Sequence, residues 1–328
     1  LGTKLIGTGS YLPEKVLTNR EISKMVDTDE TWIAERTGIQ ERHIATSQRS
    51  ADLAAGAARM ALENIDPASI DLIITATVTP DMLTPYMSSI LKKDIGLENA
   101  RTFDINAACS GFVYGMWIAD SLMSVSRNET REKDRMIRAL VVGTERLSRI
   151  TDWSDRNTCI LFGDGAGAAV FEYDETSPGI LSSFVKNYDD KDDVLICGQK
   201  YDDTPFSQDK YIKQSLDMKG TRVFRFAVSA VEEVISEVLD KTGLQPEDID
   251  FYIPHQANMR IIRSVAEKLG QPLEKFRVNI HKTGNVSSAT IPMALDELVR
   301  SGEAGSGDRI LLAGFGGGLS AGACILEL

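Results

Sequence analysis

Residues 102–117, TFDINAACSGFVYGMW, read as a buried strand, a sharp turn over small residues and then a helix. Cys109 sits at the turn, flanked by Ala107, Ala108, Ser110 and Gly111. Small neighbours let other backbone come close to the sulfur. A sulfur at a helix N-terminus feels free N–H groups and the positive end of the dipole, and both favour the thiolate. The competing reading is a small core hydrophobe, the common fate of a free cysteine.

Outward from that stretch, 328 residues suffice for one large domain or two ordinary ones. Hydrophobic content of 42% and charged content of 26% are those of a soluble globular chain. No apolar run approaches the roughly 18 residues of a membrane span. The opening residues do not resemble a leader, because Leu5 and Ile6 already read as a strand. The cysteines (Cys109, Cys159, Cys197, Cys324) are far apart, with no CxxC and no metal-ligand spacing. A reducing, cytoplasmic setting without a structural metal is expected. A net charge of −12 argues against nucleic acid as a partner.

A first strand is expected over 3–9, ending at a glycine-rich turn, and helix over 18–35 with Thr18 or Asn19 as cap and Asp27 to Glu35 as a second turn and helix. Ser50 reads as the N-cap of an Ala-rich helix reaching Asn64. IDLIITATV (70–78) has the apolar, β-branched run of a strand buried on both faces. Residues 159–173 read as two short strands around GDGAG (163–167), whose glycines suit close strand packing. The polar stretch 186–217 reads as a surface excursion between halves, and a long helix follows from Gly220. PASIDLII (67–74) recurs as PEDIDFYI (246–253), and AGAAVFE (166–172) as AGACILE (321–327), in the same order. Two copies of one α/β unit imply pseudo-twofold halves, divided here as 1–173 and 174–328.

The second half adds polar groups suited to chemistry. FYIP (251–254) runs straight into His255, and the C-terminal end of a buried strand is where open α/β sheets place ligands. A structural histidine in a loop is the alternative; His43 and His281 are assigned that role. Asn285 follows Gly284 just before a helix, where a turn or cap is the simpler reading. GFGGG (314–318) follows the strand RILLA and presents bare backbone N–H groups. A phosphate loop is disfavoured because no GK[ST] follows. A Cys, His, Asn and glycine-loop set serves papain-type hydrolases or acyltransferases that carry the acyl group on cysteine. The local papain signature is absent.

Taken together, GTGSYLP (7–13), WIAERTGIQERH (32–43), AACSGF (107–112), FGDGAGA (162–168), MKGTRVF (218–224), PHQANMRII (254–262), GNVSSATIP (284–292) and FGGG (315–318) resemble the β-ketoacyl-acyl-carrier-protein synthase III family of the thiolase superfamily. The resemblance spans nearly the whole chain. It implies an α/β, five-layered αβαβα thiolase-like fold with duplicated halves, and a homodimer. It makes Cys109 the acyl acceptor, His255 and Asn285 the other catalytic residues, and the Cys109 and Gly317 N–H groups the oxyanion hole. It places coenzyme A against Thr28, Trp32, Arg36, Arg156 and Asn258. It assigns docking of an acidic carrier protein to Arg225, Arg260, Arg263 and Lys268, although Glu267 stands where relatives often have a base. Phe162, Leu83 and Met87 would bound the acyl pocket, with the loop at 83–87 reaching across the dimer.

The implied reaction has two halves. Cys109 thiolate takes the acyl group from an acyl-coenzyme A, and coenzyme A leaves as a product, so it is a substrate rather than a cofactor. Malonyl-carrier protein then loses carbon dioxide while His255 and Asn285 steady its enolate, and the carbanion attacks the acyl-cysteine. The alternatives are a related condensing enzyme of a secondary-metabolite pathway and a non-catalytic acyl-binding protein of the same fold.

Overall fold

The computed structural model describes residues 2–129, 137–198, 206 and 215–328. Leu72–Ala76 is flanked in parallel by Ile137–Arg146 and Arg101–Ile105. Its side chains alternate between two cores. Leu72 and Ile74 join a central cluster with Phe112, Met116, Ile291 and Leu295, while Ile73 joins an outer cluster with Leu53 and Ala57. That alternation is why the run is apolar throughout. Asp164–Tyr173 and then Thr3–Tyr11 extend the sheet antiparallel, giving it five strands.

A second sheet runs Phe251–Pro254, Arg309–Gly316, Ser320–Glu327, Ile180–Asn187. It repeats the first in order and direction, and both sequence repeats fall on matching elements. The position of a fifth strand is reduced to one parallel bridge between Tyr252 and Phe276, whose rings stack at 4.7 Å. Helices Gly111–Glu129 and Thr290–Ser301 lie between the sheets, against strands of both. Ser50–Ala61 and Met87–Ile95 cover the first sheet outside, and Gly220–Thr242 and Met259–Leu269 cover the second. The layers are αβαβα, as the resemblance implied.

Several local expectations are corrected. The first strand does not stop at its glycines but runs through them to Tyr11. The glycines serve a close approach: a Cβ at Gly9 would press on Ala57 O and lie 2.5 Å from Ala61 N of the helix above. The GDGAG segment is likewise inside one strand, Asp164–Tyr173, preceded by a short helix Arg156–Cys159. The two helical pieces expected over 18–35 are present, as Asn19–Ile22 capped by Thr18 and Glu30–Thr37 capped by Asp29. Ser50 is the first helical residue instead of the cap; the Asp81 carboxylate accepts from the Ser50 and Ala51 N–H groups at 2.9 Å each. Within 186–217, residues 199–205 and 207–214 lie outside the described residues. The described part ends the strand Ile180–Asn187 and pairs Leu195–Ile196 with Asp217–Met218.

The packing at Gly9 sets two rules against each other. Strand propensity favours Val over Gly, whereas the helix backbone leaves no room for a side chain. Gly9→Val is expected to destabilise the protein by about 2–3 kcal/mol through overpacking. Urea unfolding measures this, and a neutral or stabilising effect would contradict the close approach.

Candidate active site

The strand Arg101–Ile105 ends in a single 3-10 turn, Ala108–Ser110, which opens the helix Gly111–Glu129. Ala108 takes φ +45°, a left-handed value for a residue with a Cβ, and this sharp elbow carries Cys109 at its apex. Gly316 of the second sheet lies directly on it; a Cβ there would come within 2.6 Å of Cys109 N. The Ser110 hydroxyl meets the Ser320 hydroxyl at 2.7 Å, tying the elbow to the glycine loop 316–318. Ser320 Oγ also donates to Gly317 O at 3.2 Å.

The other half builds the same device. Its 3-10 turn Ser287–Ala289 opens Thr290–Ser301, and Ser287 takes φ +47°. Ser288 therefore occupies the position equivalent to Cys109, and it is fully buried. Its hydroxyl lies 2.9 Å from both Ala76 O and Glu145 Oε1. Glu145 is also completely buried, at the end of Ile137–Arg146. It accepts from Thr79 Oγ1 at 2.7 Å and Val78 N at 3.1 Å. Burial raises its pKa to about 7, against the pull of those donors.

His255 follows Pro254 at the strand end, 1% exposed. Burial lowers its pKa to about 3, so the ring is neutral at physiological pH. Its Nδ1 lies 2.7 Å from Thr290 Oγ1, and its ring meets Phe315 edge-on. Asn285 is held by its backbone: its N–H donates to Leu161 O at 2.9 Å, and its carbonyl accepts from Gly163 N at 3.0 Å. Its Oδ1 accepts from Ser287 N at 2.9 Å, which turns the amide NH2 to other use. The buried Arg42 braces the Leu161 segment by donating to Ile160 O at 2.6 Å.

One cavity of about 1720 Å³ has Cys109, His255, Asn285 and Gly317 in its wall, together with Trp32, Arg36 and Asn258. Sequence reasoning expected a thiolate at Cys109. Burial pushes that thiol up to about 12, in opposition to the pull of the helix terminus. At the mouth, the Arg156 guanidinium lies 4.1 Å over the Trp32 ring and Arg36 lies 5.6 Å from it. Asn258 caps Met259–Leu269 through Oδ1 and donates from Nδ2 to Arg36 O at 3.1 Å. Phe162 and Leu83 also line the cavity. Met87 is corrected: it is fully buried with Ala51 and Ile90, away from the cavity. Thr28 is likewise outside the cavity wall, and its hydroxyl is buried without a partner. Arg260, Arg263 and Arg225 are exposed, and Arg260 also lines the cavity. Lys268 is exposed too, but it is held in an ion pair by Glu232. Sequence reasoning missed Glu145, Ser287 and Thr290. An acidic residue closing the apolar run ALVVGTE was the available signal for the first.

Fold and site together define an α/β enzyme of thiolase-like architecture with a cysteine in the wall of its cavity. Residues 103–188 match the family model for 3-oxoacyl-[acyl-carrier-protein] synthase III, and residues 239–328 match that for its C-terminal part. The chain is 46% identical to β-ketoacyl-[acyl-carrier-protein] synthase III of Clostridium beijerinckii, over 99% of this chain and 98% of that one. The crystal structure of 3-oxoacyl-[acyl-carrier-protein] synthase III from Aquifex aeolicus superposes with TM-score 0.90, at 42% identity and with both chains fully covered. The priming β-ketosynthase from the R1128 polyketide pathway also reaches 0.90, at 37% identity over 100% of this chain and 96% of that one. The chain belongs to the β-ketoacyl-[acyl-carrier-protein] synthase III family.

The buried carboxyl has a thermodynamic signature. Its folded pKa lies above the unfolded value, so its favourable contribution is complete below about pH 4.5 and is lost as pH rises through about 7. Relative to Glu145→Gln, the unmodified protein is expected to lose ~3 kcal/mol across that window. Urea unfolding at a series of pH values tests this. Parallel stability curves for the two proteins would contradict it.

Proposed function

We infer that the chain catalyses the decarboxylating condensation of an acyl-coenzyme A with malonyl-acyl carrier protein, the step that initiates type II fatty acid synthesis. The observation that carries this is the meeting of Cys109, His255 and Asn285, from two halves of the chain, in one cavity that extends to Trp32. Cys109 accepts the acyl group, with its own N–H and that of Gly317 facing the thioester oxygen. Coenzyme A leaves as a product. Its adenine takes the Trp32–Arg156 site, with Arg36 toward the phosphates and Asn258 beside the pantetheine arm.

In the second half-reaction, His255 and Asn285 donate to the enolate oxygen of the malonyl group. This role requires Nε2–H on a neutral histidine. Nδ1 lies 2.7 Å from Thr290 Oγ1, whose one proton is also within reach of Ser287 O at 3.0 Å, and its donation to Nδ1 gives the required tautomer. Asn285 contributes its unengaged NH2.

The acidic carrier protein docks at Arg260, Arg263 and Arg225. A homodimer is supported by the open edge of Arg101–Ile105 and by exposed Met82, Leu83, Tyr86, Trp117, Leu122 and Val125. Cys109, Cys159, Cys197 and Cys324 form no disulfide with one another, in keeping with the cytoplasm.

Intact-protein mass spectrometry tests the reaction. Incubation with a panel of acyl-coenzyme A thioesters is expected to add one acyl mass, removed again by malonyl-carrier protein as β-ketoacyl product forms. Cys109→Ser is expected to abolish the adduct. An adduct discharged only by malonyl-coenzyme A would instead favour a secondary-pathway condensing enzyme, and no adduct would favour a binding protein. His255→Ala and Asn285→Ala are each expected to slow malonyl decarboxylation ~100- to 1000-fold while sparing Cys109 acylation. Equal losses in both half-reactions would contradict their assignment as enolate donors.

A further inference from the structure

The two N–H groups assigned to the thioester oxygen come from different halves of the chain. Cys109 N belongs to the elbow Ala108–Ser110, and Gly317 N to the turn between Arg309–Gly316 and Ser320–Glu327. Two donors stabilise one oxygen only if both lie about 2.7–3.1 Å from it. No single element holds both, so the gap between them depends on what ties the elbow to the turn.

Among the described residues two ties join them. One is steric: Gly316 lies against the elbow, where a Cβ would come within 2.6 Å of Cys109 N. Close contact of this kind resists approach but not withdrawal. The other is a pair of hydroxyls on Ser110 and Ser320, which are 0% and 1% exposed. Their oxygens lie 2.7 Å apart although the residues are 210 positions apart in sequence. Ser110 directly follows Cys109, and Ser320 pairs with Gly316 across the antiparallel ladder. On the elbow side, Ala107 O lies 2.7 Å from Ser110 Oγ and 3.2 Å from Ser320 Oγ. On the turn side, Gly317 O lies 3.2 Å from Ser320 Oγ. Of the two hydroxyl hydrogens, one bridges the pair and the other goes to Ala107 O or to Gly317 O. Either way the elbow is bonded to the turn, and away from water such a pair is stronger than at the surface.

We propose that Ser110 and Ser320 are positioning residues whose hydroxyl pair clasps the cysteine elbow to the glycine turn and sets the gap between the Cys109 and Gly317 N–H groups. When the Cys109 sulfur adds to the thioester carbon, the C=O electron pair moves onto the oxygen, and it returns as coenzyme A is expelled. One thiol and one thioester enter, and one of each leaves. The clasp transfers nothing; it holds two donors where that oxygen gains charge. The same demand recurs when the malonyl-derived carbanion adds to the acyl-cysteine.

This inference rests on the proposed function of Cys109 and Gly317, and the test separates the two. Two reactions of one sulfur are compared. Acylation is followed by coenzyme A release in a single turnover at saturating acyl-coenzyme A. Alkylation by iodoacetamide is followed at Cys109 by peptide mass spectrometry, and attack on a saturated carbon builds no oxyanion. Ser320→Ala cuts the link outright, because Ser110 then keeps only Ala107 O beside it. Ser110→Ala leaves Ser320 within 3.2 Å of Ala107 O, a longer link. Ser320→Ala is expected to slow acylation ~10- to 100-fold, and Ser110→Ala less. The double variant is expected to match Ser320→Ala, because the two groups act as one unit. Alkylation of Cys109 is expected to stay within about threefold throughout. Should Ser320→Ala not fold, Ser320→Thr and Ser320→Val, alike in shape, are compared instead, with faster acylation expected of the threonine. Wild-type acylation in Ser320→Ala, equal losses in both reactions, independent effects of the two serines, or equal acylation by the threonine and valine variants would overturn the clasp and leave Cys109 as acceptor. Failure of the unmodified protein to acylate at Cys109 would remove the proposed function and the clasp with it.

Discussion

Two helix N-termini are buried back to back between two sheets, and the rest of the molecule accommodates that arrangement. Each helix enters through a left-handed elbow, at Ala108 and at Ser287, and each elbow is pressed by a glycine from the opposite half. Gly316 lies on Cys109, and Gly143 lies on the Ser288 backbone with room for no side chain. The halves therefore interlock through backbone rather than through side chains alone. A bulkier residue at either glycine would part the sheets where the chemistry is placed. The central apolar cluster, with Phe112, Met116, Ile291 and Leu295, locks both helices in that geometry.

Duplication supplied two equivalent elbows and the chain uses them differently. One presents a cysteine to the cavity. The other turns Ser288 inward onto Glu145 and Ala76 O. The second elbow has become support for the first. Its Asn285 and Ser287 line the cavity, and its Thr290 contacts His255.

The sequence made the duplication, the Cys109 elbow and His255 at its strand end legible, because repeats, apolar runs and small-residue turns are local signals. Gly7 and Gly9 were misread as punctuation because a glycine that yields to a packed backbone looks the same in sequence as one that turns. Glu145 and Thr290 were hidden for a different reason. Their importance comes from a meeting between residues far apart in the chain, and neither type is unusual at a strand or helix end. Met87 was placed by resemblance, and the buried contact with Ala51 and Ile90 claims it instead.

The stack of Arg156 on Trp32 has a consequence for the traffic of ligands. The protein's own guanidinium already covers the face that a flat base would use. A purine entering there exchanges one partner for another of similar strength, since such a contact is worth about 0.5–1 kcal/mol at an exposed site. Recognition by swapping is shallow in free energy: the ring is selected for flatness but not gripped. When such a ring leaves, the arginine can fall back onto the indole and take up the vacated surface. The doorway thus competes with its own visitor, which favours rapid clearance over tight capture.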